Sequence, residues 1–358
     1  MKIIRVFLVL VVCIFFASGC VEKREQAQQM IEKYSEDDLH EMTTFAMDTI
    51  MQFTIYDENG EQFLIDAEQE IRRLERLFSV TIEESEISNL NQNAGQGSIA
   101  VSEDTFKILQ RGKEIGELTN QSFDIAISPI VKAWGFTTDA QKHVPAEETI
   151  ENLLLLTNAD DLVLDQDETT AELLQVGMAV DLGGIAKGYT SDTITALLKE
   201  KGVTSGLFSL GGNISAIGTK PNGDKWKIAI ENPIDANDYV GLLEVEDTSV
   251  ITSGGYQRYF EENGKRYHHI IDSKTGYPAN SGLISVTIIC DDGAKADGLS
   301  TALFVMGLDQ AVDLWRSSTG FECVFITEDG KVIATEGAAD FFTFEGRDND
   351  FVYETIKK

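Results

Sequence analysis

Basic residues are scarce in this chain. It has 29 lysines and arginines against 60 aspartates and glutamates, which gives a formal net charge of −31 at pH 7. So acidic a surface repels the phosphate backbone of nucleic acids and the headgroups of anionic lipids, so we expect neither as an electrostatic partner. An anionic ligand would need local compensation from a metal ion, a lysine or a helix N-terminus.

Cysteine is also scarce, with four in the whole chain. Cys13 lies within an apolar N-terminal run and Cys20 closely follows that run, which leaves Cys290 and Cys323, each in an apolar, strand-like segment. These two could form a disulfide or remain as two buried thiols. The sequence contains no CxxC pair and no HExxH motif, so it gives little support for a zinc site.

The N-terminus has the pattern of an export signal. An apolar run over residues 3–16 is shorter than the roughly 20 residues that a membrane span needs. It is followed by Ala-Ser-Gly-Cys, ending at Cys20, which resembles a bacterial lipobox whose cysteine is acylated. We predict a signal peptide over residues 1–19, lipidation of Cys20, a polar tether over 20–44, and an extracytoplasmic protein anchored to the bacterial membrane. A plain secretion signal or an uncleaved anchor is the alternative.

The sequence from residue 45 to about 345 has the texture of one globular domain, and residues 346–358 are predicted to be a C-terminal tail. A strand is predicted over 47–57, closed by a hairpin turn at Asn59-Gly60. Further along the chain, strands come in runs rather than in strict alternation with helices. This order favours an α+β fold over a doubly wound parallel sheet.

Residues 181–189 read Asp-Leu-Gly-Gly-Ile-Ala-Lys-Gly-Tyr, a strand-like segment and two glycines before a helix predicted over 185–200. Glycines let main-chain N–H groups approach an anion, the helix N-terminus favours negative charge, and Lys187 adds a positive charge. The segment is neither GxxxxGK[ST] nor GxGxxG. It suits a phosphate or pyrophosphate, and a tight strand-to-helix turn without a ligand is the alternative.

Two of the four histidines, His268 and His269, are adjacent and lie between a strand-like segment and a turn rich in glycine and proline. Adjacent residues of a strand face opposite ways, so at most one of the two is expected to enter a given site. A structural pair, in the core or on the surface, is the alternative.

Asp297 and Thr301 stand four residues apart in a helix predicted over 295–306, and therefore on one face of it. A carboxylate and a hydroxyl presented together are hard oxygen ligands that suit Mg²⁺, which takes few protein ligands and completes its shell with water and phosphate. The alternative is an acidic residue that only favours the helix dipole.

Aromatic residues surround a third polar segment. Ser122-Phe123-Asp124 is followed by Trp134-Gly135-Phe136, and together they could line a cleft for a flat heterocycle. The same residues could equally be core, with Asp124 as a helix cap.

The order of these segments along the chain carries more information than any one of them. Eight segments in succession resemble the ApbE family of FAD:protein FMN transferases, over about residues 45–340. They are Phe45-Ala46-Met47-Asp48-Thr49, Ser85-Glu86-Ile87-Ser88-Asn89-Leu90-Asn91, Ser122-Phe123-Asp124 with Trp134-Gly135-Phe136, the 181–189 segment, Leu210-Gly211-Gly212-Asn213, Thr252-Ser253-Gly254, the segment from His268 to Gly276, and Ala296-Asp297-Gly298-Leu299-Ser300-Thr301.

The resemblance implies an α+β fold with two lobes and FAD in the cleft between them. It implies Mg²⁺-dependent cleavage of FAD at the pyrophosphate and transfer of FMN to a Thr or Ser hydroxyl of a target protein, with release of AMP. A Mg²⁺-dependent FAD pyrophosphatase and a non-catalytic FAD-binding lipoprotein are the alternatives. Family targets often serve electron transfer, so the expected partner is an extracytoplasmic electron-transfer protein.

The resemblance also assigns roles by motif. The implied Mg²⁺ ligands are the backbone carbonyl of Ala186, the carboxylate of Asp297 and the hydroxyl of Thr301. The residues implied to contact FAD are Met47, Ser122, Phe123, Asp124, Lys187 and Ile270. His269 is the first candidate for the general base and His268 the second.

Two positions depart from the family pattern. Where the family often places a tyrosine or tryptophan that can stack on adenine, this chain has Thr81, which cannot stack. Where the family usually has Asp-Pro, this chain has Asp272-Ser273, which is expected to loosen the turn without removing chemistry.

Overall fold

The computed structural model describes residues 38–137, 142–346 and 351–358. The predicted signal peptide, Cys20 and most of the predicted tether lie outside these residues. The α-helices are α1 Gly60–Phe78, α2 Glu86–Gln92, α3 Glu103–Leu118, α4 Ser128–Ala133, α5 Glu147–Leu154, α6 Ala186–Glu200, α7 Gly293–Met306, α8 Leu308–Ser317 and α9 Glu336–Ala339, with 3₁₀ turns at Ile125–Ile127 and Ala159–Asp161. The strands are β1 Leu39–Ala46, β2 Thr49–Tyr56, β3 Ile99–Ala100, β4 Leu162–Asp165, β5 Thr170–Leu173, β6 Ser205–Leu210, β7 Asn213–Gly218, β8 Trp226–Glu231, β9 Tyr239–Val245, β10 Ser249–Gly254, β11 Tyr259–Glu262, β12 Lys265–His268, β13 Leu283–Cys290, β14 Glu322–Thr327, β15 Lys331–Thr335, β16 Phe342–Phe344 and β17 Val352–Ile356.

A nine-stranded sheet in the order β1-β2-β6-β7-β10-β13-β14-β15-β17 organises the fold. Its neighbours run antiparallel except β15 and β17. Helices α1, α6, α7 and α8 pack on one face, and the three-stranded sheet β16-β9-β8 covers part of the other. An antiparallel sheet with helices gathered on one face is an α+β arrangement, so the predicted fold class is confirmed.

A second group of elements consists of α2, α3 and the small sheet β3-β5-β4, which share one apolar core. Helix α7 joins this group to the large sheet, because Ala294 and Ala302 belong to that core while Leu299 and Leu303 pack with α8 and β13. Ten of the fourteen residues of α7 are buried. A helix enclosed on all sides needs apolar residues all round, which explains why its sequence shows no amphipathic stripe.

Helices α6 and α7 cross at two glycines and exchange hydrogen bonds near their N-termini. Asp192 of α6 accepts the N–H groups of Gly293 and Ala294 at 2.7 and 2.9 Å. Asp297 of α7 in turn accepts the N–H of Gly188, in the first turn of α6, at 2.9 Å. Each helix therefore satisfies N–H groups that the other leaves without an intrahelical acceptor.

Both ends of the predicted domain need correction. Strand β1, Leu39–Ala46, begins inside the predicted tether of 20–44 and pairs along its whole length with β2. Residues 352–356, inside the predicted C-terminal tail, form the parallel edge strand β17. The charged and polar residues on these edge strands hid the pairing, because an edge strand needs few apolar side chains.

The predicted hairpin turn at Asn59-Gly60 is also wrong. Asn59 precedes α1, and the hairpin turn lies at Met47 and Asp48, whose φ angles are 49° and 58°. Two-residue hairpin loops with positive φ usually contain Asn-Gly. Met47-Asp48 does not have this signature, so the sequence did not indicate a turn there.

Among the described residues, Cys290 and Cys323 are both buried free thiols, and burial raises the pKa of each. This agrees with the alternative of two thiols rather than a disulfide. No helix in the described part of the chain combines the length and apolar character that a membrane crossing requires.

Gly188→Ala tests the helix crossing. A Cβ at Gly188 would lie 2.1 Å from the carbonyl oxygen of Gly293, which is backbone and cannot yield without moving a helix. We expect the free energy of unfolding to fall by about 3 kcal/mol or more, measured by urea denaturation. Gly202→Ala is the control, since a Cβ there meets no atom within 4 Å and only its φ of +97° is unfavourable. Equal losses in the two variants would contradict the tight crossing.

Candidate functional site

The segments singled out in the sequence meet at one end of the nine-stranded sheet. The β1–β2 turn holds Met47 and Asp48, and the β6–β7 turn holds Gly211 and Gly212. The two turns are adjacent, since the Gly211 N–H donates to the carbonyl oxygen of Ile50 at 3.2 Å. They form one edge of the candidate site.

Helices α6 and α7 bring further predicted residues to this edge. From α6, the Thr190 hydroxyl oxygen lies 3.7 Å from the Met47 sulfur. From α7, Ser300 and Thr301 place their hydroxyls 2.7 and 3.3 Å from the hydroxyl of Ser253, near the end of β10. The first turns of α6 and the Asp297–Thr301 face of α7 therefore lie beside the turns of the sheet.

Asp297 is a buried carboxylate, 3% exposed. Its Oδ2 accepts the Gly188 N–H at 2.9 Å and lies 3.8 Å from Nζ of Lys187. Lys187 also donates to the carbonyl oxygen of Gly183 at 3.3 Å. The predicted lysine and the predicted metal-binding carboxylate thus share one place, over the glycine pair that precedes α6.

The three predicted oxygen ligands belong to the two helices that cross at this place. A Cβ on Gly184 would lie 3.6 Å from the Thr301 hydroxyl, and one on Gly188 would lie 2.7 Å from Cβ of Asp297. The Ala186 carbonyl lies in the first turn of α6 and accepts the Thr190 hydroxyl at 2.7 Å. A carboxylate, a hydroxyl and a carbonyl are hard donors, so the residues fit Mg²⁺.

Within residues 38–137, 142–346 and 351–358, no group of three or more His, Cys, Asp or Glu side chains could hold a metal ion by itself. The predicted ligand set contains a single carboxylate, so it does not depend on such a group. A cation held here would take the rest of its shell from water and from an anionic ligand.

The turn at Met47 is strained and braced. Two consecutive residues with side chains and positive φ cost of the order of 1 kcal/mol or more each, so surrounding contacts must hold them. The main-chain N–H of Met47 donates to Oε1 of Glu75 at 2.6 Å, and Arg72 lies 3.3 Å from the same carboxylate. Helix α1 therefore fixes the position of Met47, one of the residues predicted to contact FAD.

The Ser122-Phe123-Asp124 segment follows a second left-handed pair, Asn120 and Gln121, with φ of 50° and 59°. Asp124 accepts the N–H groups of Ala126 at 2.7 Å and Ala159 at 3.3 Å, and burial raises the pKa of its carboxyl. Its side chain is a cap, as the structural alternative proposed. Phe123 packs at Gly184, where a Cβ would lie 2.9 Å from its ring.

The aromatic segment is core rather than an open cleft wall. Trp134 is fully buried and its indole N–H donates to the carbonyl oxygen of Gly276 at 2.8 Å. Its ring centroid lies 5.4 Å from that of Tyr267 and 5.7 Å from that of Tyr277. This aromatic cluster packs against β12 and against the turn that follows His268 and His269.

The turn at Asp272-Ser273 is not loosened by the absence of proline. Ser273 is buried and donates its hydroxyl to the carbonyl oxygen of Gln121, which ties this turn to the Ser122 segment. The carboxylate of Asp272 also accepts the Lys274 N–H at 2.9 Å. Thr81, the other departure, lies exposed in a turn after α1, where its N–H donates to the Ser79 hydroxyl at 3.1 Å.

The two histidines have different hydrogen bonds. Nε2 of His268 lies 3.0 Å from the carbonyl oxygen of Ala279, and Nδ1 accepts the Ile270 N–H at 3.2 Å. Both ring nitrogens are thus held by the main chain, in the tautomer with the proton on Nε2. His268 is a structural residue, and it positions the buried Ile270.

His269 has one ring nitrogen held by the main chain. Its Nδ1 lies 3.1 Å from the carbonyl oxygen of Arg258, so Nδ1 carries the proton and Nε2 has a lone pair. Burial lowers the pKa of His269 to about 4, and the charges of Arg258 and Lys187 act in the same direction. The ring is therefore neutral at pH 7.

Sequence reasoning missed two charged residues near Asp181, namely Lys132 and Arg258. Burial raises the pKa of Asp181, while Lys132, Arg258 and Lys187 oppose that rise. The guanidinium of Arg258 also donates to the carbonyl oxygen of Phe136 at 2.9 Å. Asp181 begins a segment that the sequence analysis singled out, but no sequence signal marked Lys132 or Arg258, which lie in unrelated parts of the chain.

A cavity of about 940 Å³ opens at the other end of β7 and β10. The predicted site residues do not line it. Its walls include the cations Lys107, Arg111 and Lys199, each paired with an acidic neighbour, and further carboxylates such as Asp192 and Asp291. With its basic groups neutralised, this cavity is poorly suited to an anionic dinucleotide.

Comparison with known proteins agrees with the geometry. The sequence model of the ApbE family matches residues 47–325. The chain belongs to the ApbE family. A FAD:protein FMN transferase of Klebsiella pneumoniae (strain 342) is 35% identical over 266 residues, which cover 74% of this chain and 82% of that protein. A second, of Treponema pallidum (strain Nichols), is 34% identical over 285 residues, which cover 75% of this chain and 78% of that protein.

Solved ApbE structures show the same fold. The ApbE protein of Thermotoga maritima superposes with a TM-score of 0.79 at 31% identity, covering 85% of this chain and 99% of that one. The flavin transferase ApbE from Vibrio cholerae gives a TM-score of 0.77 at 27% identity, with the same coverage. The ApbE resemblance drawn from eight segments is thereby confirmed.

The different bonding of the two histidines in this ApbE chain predicts different effects on stability. His268→Ala removes a half-buried ring whose two nitrogens both bond to the main chain, and we expect the free energy of unfolding to fall by about 2–3 kcal/mol. His269→Ala removes a half-buried ring with one hydrogen bond, and we expect a loss of about 1 kcal/mol. Urea denaturation at pH 7 measures both. A larger loss for His269→Ala would contradict these assignments.

Proposed function

We propose that this chain is a FAD:protein FMN transferase that joins FMN from FAD to a Thr or Ser hydroxyl of a target protein and releases AMP. The observation that carries the proposal is the convergence of a cation, hard oxygen donors and a neutral histidine at one end of the sheet. Lys187 and Asp297 lie 3.8 Å apart, and the charge of Lys187 acts on His269.

The pyrophosphate of FAD would bind at the N-terminus of α6. The dipole of α6 favours an anion at this end, and Lys187 supplies a positive charge. Gly183 and Gly184 keep side chains away from this place. These local groups would allow a protein with a net charge of −31 to bind an anionic substrate.

Mg²⁺ would be held by the Ala186 carbonyl, the Asp297 carboxylate and the Thr301 hydroxyl, with Lys187 close by. When bound, the ion would stabilise the negative charge that develops on the pyrophosphate oxygens as AMP leaves. The Ser253 hydroxyl hydrogen-bonds with both Ser300 and Thr301, and so restrains the direction of the Thr301 hydroxyl. The main-chain N–H of Gly188 does the same for the carboxylate of Asp297.

His269 is assigned as the general base. Nε2 has the lone pair, so it accepts the proton of the acceptor hydroxyl while that oxygen bonds to the phosphorus on the flavin side. The P–O bond to the AMP phosphate breaks, and AMP leaves with the bonding electron pair. The carbonyl of Arg258 keeps the proton on Nδ1, so Nε2 has the lone pair before the proton is transferred.

Location and partner form the second part of the proposal. The lipobox-like sequence ending at Cys20 supports a lipid anchor on the outer face of the bacterial membrane. An anchored enzyme would meet targets at the same surface, and an extracytoplasmic electron-transfer protein is the proposed class. Residues 20–37 precede the first described strand and are long enough to hold the domain away from the lipid.

Intact-protein mass spectrometry tests the transferase. A candidate target incubated with the enzyme, FAD and Mg²⁺ should gain the mass of one FMN, and EDTA should abolish the gain. Asp297→Asn should lose at least about 100-fold in rate, whereas Asp309→Asn, an exposed aspartate of α8, should retain it. Release of free FMN and AMP with every target tried would favour the hydrolase, and intact FAD would favour a binding protein.

The acid limb of the pH profile tests His269. Protonation of Nε2 removes the acceptor, so kcat/KM, which reports the free enzyme, should fall only as the pH drops towards about 4, rather than near the ordinary histidine pKa of about 6.5. Arg258→Gln removes a positive charge and keeps the main-chain carbonyl, so the limb should move to higher pH. Arg266→Gln, an exposed arginine of β12, is the control. An acid limb near pH 6.5 in the unmodified enzyme would contradict the assignment.

A further inference from the structure

Asn213, the first residue of β7, is a buried amide whose Nδ2 has no partner among the described residues. It is 3% exposed, and no acceptor among the described residues lies within hydrogen-bonding distance of its Nδ2. A buried donor left in this state costs about 1–3 kcal/mol, which a ligand that supplies an acceptor would recover. Sequence analysis singled out Leu210-Gly211-Gly212-Asn213 as a segment, but the proposed mechanism gives Asn213 no role.

Asn213 stands where two neighbouring strands of the sheet separate. Pairing between β7 and β10 covers two positions, Ser249 with Ser215 and Val250 with Ile214, and stops there. Asn213 is the next residue beyond the last pair. Strand β10 continues to Gly254 paired only with β13 on its other side. The separation opens a gap in the sheet at the end where the candidate site lies.

The side chain of Asn213 belongs to the helix-facing side of the sheet. Residues two apart on a strand share a face, and Ser215 bonds through its hydroxyl to Ser249 on this face at 2.8 Å. Ile217, two residues further on, belongs to one apolar cluster with Ile194 and Leu198 of α6. The amide is therefore on the side that carries α6 and α7.

Helix α6 and strand β7 both start at the site end of the sheet. The first turn of α6 is tied there by the Thr190–Met47 contact, and β7 starts from the turn that bonds to Ile50. On either side in strand order lie the Met47 turn and Ser253. Asn213 thus stands in the middle of the row of turns that borders the candidate site.

We propose that Asn213 is a further binding residue for the dinucleotide, with Nδ2 donating to an acceptor oxygen of bound FAD. The inference rests on the proposed function and extends it to a residue that neither the family resemblance nor the mechanism assigned. The cost of the unpaired donor is recovered when the substrate binds. Asn213 then contributes to affinity at the expense of stability in the substrate-free protein.

Asn213→Ala in the full-length protein tests this combination. We expect the dissociation constant for FAD, measured by quenching of flavin fluorescence, to rise about tenfold, since one hydrogen bond is lost. The thermal midpoint without FAD should stay the same or rise, because the unpaired donor is gone. Asn213→Asp, which places a buried carboxylate near an anion, should weaken FAD binding by at least about 100-fold.

Ser205→Ala is the matched control. Ser205 is also fully buried with an unpartnered hydroxyl, but it pairs with Gly218 at the opposite end of the β6–β7 hairpin. Its removal should leave FAD affinity unchanged. Unchanged affinity in Asn213→Ala would overturn the proposal and assign the amide to a trapped water. If Asn213→Ala lowers the thermal midpoint but the folded variant binds FAD as tightly as the unmodified protein, the proposal is overturned and Asn213 has a purely structural role.

ADP and FMN as separate probes locate the acceptor oxygen. Weaker binding of ADP by Asn213→Ala assigns the bond to the phosphate chain or adenosine half, and weaker binding of FMN alone assigns it to the flavin half. Either result supports the proposal. If Asn213→Ala binds ADP, FMN and FAD as tightly as the unmodified protein, the proposal is overturned. If the unmodified protein binds no FAD, the proposed function itself fails, and that result is visible before any variant is compared.

Discussion

The exchange of hydrogen bonds between α6 and α7 is the constraint on which the candidate site depends. Asp192 accepts two N–H groups of α7, and Asp297 accepts one of α6, across a crossing at which Gly188 and Gly293 leave no room for a Cβ. The two helices are thereby fixed in rotation as well as in distance. A carboxylate on one helix and a lysine on the other end 3.8 Å apart as a direct consequence.

Local periodicity predicted much of the fold. The start of α6 after the glycine pair and the helix that carries Asp297 and Thr301 follow from cap and spacing rules. The missed elements are edge strands and a turn with side chains at positive φ, where tertiary contacts override sequence preference. Strand β17 is held by pairing with β15, and the Met47 turn by Glu75 of α1. No local pattern records such partners.

The site was predictable to the extent that its residues lie in short segments. Asp297, Thr301 and Lys187 could be chosen from spacing and residue type, and the structure brings them together. The choice between His268 and His269 could not be made by chemistry, since both are histidines on one strand end. It follows from main-chain partners that lie about ten residues away, and the electrostatic role of Arg258 depends on packing that sequence does not show.

The left-handed residue pairs have a consequence for how such a chain can diverge. Met47-Asp48 borders the candidate site, and Asn120-Gln121 directly precedes the Ser122 segment. All four residues keep side chains at positive φ, a backbone region that favours glycine. Selection for heat tolerance alone would favour glycine at these four positions, because it relieves the strain. It would also erase side chains at the mouth of the site. We therefore expect substitutions that raise thermal stability to occur elsewhere in the molecule. The sequence of these two turns should change more slowly in evolution than that of loops of equal exposure.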